Sequence, residues 1–177
     1  MNIKHLLQRV LRAGALTLMS AGASAAGITV PASLQTAPAQ ALALEASATG
    51  VQIYTCSAAE ADGGKPEWTL KAPEATLFAA DGAKLGVHYA GPTWEANDGS
   101  KVVGKMKASA TPSSDAIPWL LLDVTSAEGS GIFGKITAVQ RLATDGGKAP
   151  ADGCALASLG KEVRVPYKAV YRFYTAK

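Results

Sequence analysis

The chain predicts an all-β fold, an antiparallel β-sandwich or barrel of about 8–10 short strands with one disulfide. Three observations carry this. Apolar and polar residues alternate with a period of two through much of the chain, the spacing that turns one strand face into a core. Asp-Gly pairs at Asp62, Asp81, Asp98, Asp145 and Asp152 punctuate it, and this dipeptide tolerates the positive φ of tight hairpin turns. No segment carries the i, i+3, i+4, i+7 apolar stripe of an amphipathic helix.

Residues 1–25 read as a secretory signal peptide. Lys4, Arg9 and Arg12 form its positive start, Ala13 to Ala21 an apolar stretch too short for a bilayer, and Ala23-Ser24-Ala25 a small-residue cleavage site. Residues 26–40, rich in Ala, Pro, Ser and Thr, read as an extended lead-in, and 41–177 as a single β domain. Candidate strands cover 41–48, 51–56, 68–71, 75–78, 85–89 and 101–108. The run 117–124 is continuously apolar and short, which suits a strand buried on both faces. In 136–142, Ile136, Ala138, Gln140 and Leu142 alternate with Thr137, Val139 and Arg141. From Val163, the residues Val165, Tyr167, Ala169, Tyr171 and Phe173 share one face, with an interruption or an edge expected at Pro166.

Charge and cysteines set the compartment and narrow the partners. Three of the 17 basic residues lie in 1–25, so the remainder balances the 14 acidic ones. A nucleic-acid partner needs a clustered basic excess, and Lys101, Lys105 and Lys107 alternate as the solvated face of a strand does. No later stretch approaches the roughly 20 apolar residues of a membrane helix. Cys56 and Cys154 are even in number, and in an exported chain they predict a structural disulfide. The expected location is extracytoplasmic, periplasmic or secreted.

Gly129, Gly131, Gly134 and Lys135 superficially match nucleotide-binding glycine loops. A dinucleotide loop must open a helix, whereas the residues after Gly134 alternate as a strand. A phosphate loop needs Ser or Thr after its lysine, where Ile136 stands. The segment therefore reads as a glycine-rich hairpin, and no cofactor is implied.

The candidate ligand-binding residues are His88, Tyr89, Trp94, Glu95 and Asp98. His88 is the one histidine beyond the signal segment, so a multi-histidine metal centre is excluded and no metal site is assigned. Alternation places Leu85, Val87 and Tyr89 on the core face and His88 on the other. Asp98 is also the turn residue of Asn97-Asp98-Gly99, and Ser100 lacks the glycine elbow of a serine hydrolase. Trp94 follows Gly91-Pro92 in a segment read as a loop. Exposed there, its indole would stack on a sugar or small molecule; its commoner role is to plug one end of a barrel.

The series Gly50-Val51-Gln52-Ile53-Tyr54-Thr55-Cys56, Trp68, Ala72-Pro73-Glu74-Ala75, Gly86 to Glu95, Asp98-Gly99-Ser100, Ile117-Pro118-Trp119-Leu120-Leu121, Gln140-Arg141, Thr144 to Pro150 and Val165 to Tyr174 resembles the family called domain of unknown function 3455. The resemblance spans nearly all of the chain after the signal segment. It implies an exported β-rich domain and carries no activity, cofactor or catalytic residue.

Three functions follow as expectations. The first is a non-enzymatic module that binds a small ligand, glycan or cell-envelope partner. The second is a secreted hydrolase using His88 with Glu95 or Asp98. The third is a structural or stress-related envelope protein with no small ligand, which predicts no pocket beside His88.

Overall fold

A computed structural model describes residues 27–59 and 64–177; the proposed signal segment and Asp62-Gly63 lie outside the described residues. Eight strands follow one another: β1 (Gln40–Ala59), β2 (Lys65–Phe78), β3 (Lys84–Tyr89), β4 (Thr93–Ala96), β5 (Lys101–Ala110), β6 (Trp119–Glu128), β7 (Ile136–Gly146) and β8 (Glu162–Ala176). Each pairs antiparallel with the next, and β1 pairs with β8, so the sheet closes into an up-and-down barrel without free edges. No helix among the described residues is long and apolar enough to cross a membrane.

The barrel replaces several short expected strands with fewer, longer ones. The segments 41–48 and 51–56 join in β1 through Gly50, where a Cβ would stand 2.1 Å from Glu74 O. Only glycine lets β1 and β2 approach that closely. The segments 68–71 and 75–78 join in β2 across Pro73, beside a register shift at Ile53/Tyr54 that absorbs its missing donor. Pro166 does not interrupt β8. It pairs with Val51, and β7 ends at Gly146 opposite Tyr167, so no ladder on that side needs its N–H. Strand β4, unread in the sequence, is four residues long and lies between two tight turns.

Both Asp-Gly hairpin turns form, at Asp81-Gly82 between β2 and β3 and at Asp98-Gly99 between β4 and β5. The glycine-rich segment 129–135 connects β6 to β7 and opens no helix. The β3–β4 turn and the β5–β6 and β7–β8 connections lie at one end of the barrel. The β2–β3, β4–β5 and β6–β7 connections lie at the other, as antiparallel order requires. Cys56 on β1 and Cys154 in the β7–β8 connection form a disulfide.

The interior is filled by Trp94, Phe133, Tyr171, Phe173, Leu77 and Leu122. Phe133 packs on Phe173 at 4.6 Å between ring centroids and helps close the far end. A second cluster lies on the outer wall. There the lead-in, with a 3-10 turn at Ala32–Leu34, lays Leu34 over Leu121 and Leu142, with Ile28, Val30 and Trp119 alongside. Gln140 anchors it by donating to Leu34 O. This strap explains why Leu121 and Leu122 are both buried although they point to opposite faces of β6.

Candidate functional site

The barrel interior opens at the end of the β3–β4 turn into a cavity of about 420 Å³. That volume falls in the range of small-molecule pockets. Its walls include the apolar side chains of Leu70, Pro73, Met106, Leu120 and Leu122, and deeper in stand Gln52, His88, Trp94, Arg141 and Tyr171. Leu70 and Met106 are exposed and give the mouth an apolar rim.

Each deep side chain has a local reason to point inward. His88 and Trp94 are register partners on β3 and β4, so both project from the same face of the hairpin. Their rings stack at 4.5 Å and 8°. Tyr171 meets the pair edge-on, at 5.2 Å from His88 and 5.5 Å from Trp94. Gly104 on β5 makes room for the indole, because a Cβ there would come within 3.1 Å of Trp94 Cζ3. Arg141 pairs with Leu120 on one side and Tyr171 on the other. Its Nε and Nη2 both donate to Pro118 O, at 3.0 and 2.9 Å.

From Val87 on, the two faces of β3 are the reverse of the expectation. His88 is only 3% exposed and faces the interior, while Val87 and Tyr89 are half-buried on the other side and Leu85, opposite a register shift in β2, packs against the core as expected. Trp94 is not an exposed loop residue: it is 1% exposed, on a strand, and wedged within the barrel. The same inversion holds in β7. Register shifts there turn Val139 and Arg141 inward and leave Gln140 and Leu142 under the lead-in. The cause is common to both. An interior that holds a cavity tolerates polar groups such as His88 and Arg141, and over β7 the strap also lets the outer wall be apolar, so polarity ceases to mark the inside.

Of the five candidate residues, the structure brings together His88 and Trp94. Tyr89 and Glu95 face outward as a pair, the Tyr89 hydroxyl donating to Glu95 Oε2 at 2.7 Å, which raises the phenol's pKa. Asp98 lies at the far end and holds the β6–β7 connection. Its carboxylate accepts from Ser100 N at 2.9 Å, Ser100 Oγ at 2.6 Å and Ile132 N at 2.8 Å. Those bonds, the Ser100 hydroxyl first, hold its pKa below the usual carboxylate range. The grouping of His88 with Glu95 or Asp98 that a hydrolase would use is therefore not present in the fold.

Gln52, Arg141 and Tyr171 are the deep residues that the sequence reading did not single out. A polar side chain inside an apolar strand, as in Val51-Gln52-Ile53 and Val139-Gln140-Arg141-Leu142, is the signal that pointed to the first two. Among the described residues, no group of three or more His, Cys, Asp or Glu side chains could hold a metal ion.

His88 has a defined chemistry. Its Nδ1 lies 2.8 Å from Thr93 O, and a carbonyl only accepts, so Nδ1 carries the proton and Nε2 an open lone pair. Burial removes the water that would stabilise an imidazolium and lowers the pKa to about 3. The neutral ring is the folded form across the physiological range.

A stability consequence follows with a definite sign. Between pH 6.5 and about 3 the unfolded chain binds a proton at this position and the folded chain does not. Stability is therefore complete above pH 6.5 and falls as the pH drops through that window, by about 1.4 kcal/mol per unit. Denaturant midpoints at several pH values for wild type and His88→Asn measure this. The wild type is expected to lose stability faster than the variant on acidification, and parallel curves would refute the assignment.

The family model of a protein of unknown function, domain of unknown function 3455, matches residues 37–175, from the last residues of the lead-in to the end of β8. No curated protein and no solved structure matches the chain. The matched span contains the whole barrel, the disulfide and every deep residue of the cavity, and the chain belongs to the domain of unknown function 3455 family.

Proposed function

We propose that this protein binds a small, mostly apolar organic ligand inside its barrel, outside the cytoplasm. One observation carries the reading. The barrel holds a cavity of about 420 Å³ with mostly apolar walls, and Arg141, which takes part in no ion pair among the described residues, stands in it beside His88, Trp94 and Tyr171. A cavity of this size, apolar around its walls with a few polar groups set deep, suits a small organic molecule with one polar end. The disulfide and the signal-like N-terminus support the compartment.

Binding is favoured over catalysis by the state of His88. A group kept neutral down to about pH 3 is a weak base at neutral pH, and no carboxylate orients it. The presence of a cavity beside His88 likewise favours a ligand over a purely structural role.

The neutral apolar dye N-phenylnaphthylamine tests the reading by its fluorescence gain on entering the cavity. The wild type is expected to bind it saturably. Ser109→Trp, which adds an indole opposite Leu120 at the cavity wall on β5, is expected to weaken binding about ten-fold, roughly 1.4 kcal/mol. Absence of saturable dye binding to the wild type would overturn it.

A further inference from the structure

We infer that the ligand is an organic carboxylate, its head group held by Arg141. This rests on the binding reading above and gives the ligand its chemical class.

The cavity wall contains two cationic side chains, Lys71 and Arg141, and no Asp or Glu. Lys71 at the mouth is already paired with Glu162. Arg141 takes part in none of the ion pairs among the described residues. Its guanidinium is half-buried against Tyr171, and its positive charge acts on Tyr54, His88, Tyr167 and Tyr171. A guanidinium has five N–H donors in a rigid fork. Two of its nitrogens are turned to Pro118 O, and the Tyr171 hydroxyl lies within reach of the guanidinium, which together fix its plane at the cavity wall. An uncompensated cation in a partly dry site is costly, and an anion that enters with the ligand removes that cost.

The neighbouring groups select among anions by what they lack. Arg141 only donates. His88 has committed its one N–H to Thr93 O. The charge of Arg141 and its remaining N–H donors thus call for an anionic head with more than one oxygen. A carboxylate has two oxygens in a plane that matches the guanidinium fork. The apolar walls and the exposed Leu70 and Met106 at the rim suit a hydrocarbon body extending towards the mouth.

Calorimetric titration of the oxidised protein with decanoate and with decanol isolates the head group, since the two share the same chain. Wild type is expected to bind decanoate about ten-fold or more tightly than decanol. Arg141→Met, which keeps the apolar stem, is expected to bring decanoate down to decanol's affinity, and Lys71→Gln to leave the ratio unchanged. Equal binding of both probes by wild type, or dye binding without decanoate binding, would overturn the carboxylate assignment while the cavity reading stands. A ratio that survives Arg141→Met and disappears with Lys71→Gln would overturn the assignment to Arg141. If neither decyl probe nor the neutral dye binds, the binding reading itself falls. Should Arg141→Met fail to fold, the wild-type ratio and its decline with added salt decide the matter.

Discussion

Trp94→Ala is expected to destabilise the protein by about 3–5 kcal/mol, measured by chemical denaturation. The indole is among the largest fully buried side chains, and it is held on three sides. His88 stacks on one face, Tyr171 and Phe173 meet it edge-on, and Gly104 makes room for its ring. Truncation would leave a void that the closed barrel cannot collapse to fill, because every strand is paired on both sides. Trp94→Phe keeps most of the contact and deletes the unpaired N–H, so it is expected to cost less than about 1.5 kcal/mol. Similar losses for both variants would show that the indole nitrogen has a partner in the folded protein.

Loss of the disulfide is the second large effect. Cys56 and Cys154 are 98 positions apart, and the bridge excludes many unfolded conformations. The double variant Cys56→Ser with Cys154→Ser, or the reduced wild type, is expected to lose about 2–5 kcal/mol. Hydrogen bonds hold the same region: Gly160 N to Cys56 O at 2.9 Å, Cys56 N to Lys161 O at 2.8 Å, and Trp68 Nε1 to Asp152 O at 2.9 Å. An unchanged denaturation midpoint under reductant would mean that these bonds alone suffice.

The class of fold was legible because strand alternation and Asp-Gly turns are local signals. Strand ends were less legible. Gly50 and Pro73 look like breaks in a sequence, yet here one permits a close approach and the other sits beside a register shift. Strand β4 escaped notice because four residues between Gly91-Pro92 and Asn97-Asp98-Gly99 give alternation too little length to show. The site was legible in part. The neighbourhood of His88 and Trp94 was visible as a concentration of reactive side chains. Their partners Gln52, Arg141 and Tyr171 come from β1, β7 and β8, and only barrel closure brings those strands around the β3–β4 hairpin. Tyr89, Glu95 and Asp98 were adjacent in sequence, but the alternating pleat and the opposite hairpin turn send them elsewhere.

The strap on the outer wall has a consequence for handling the molecule. Its early residues Ile28 and Val30 lie in the cluster with Trp119 and Ala110, at the cavity-mouth end of β5 and β6. From there it descends to Gln40, which donates to Thr137 at the start of β7. Lys177 is fastened there too, its N–H donating to Ala39 O and its ammonium to Pro38 O. Ile28 and Lys177 thus lie at opposite poles of the barrel. A protein immobilised through its C-terminal lysine presents the open pole to solvent.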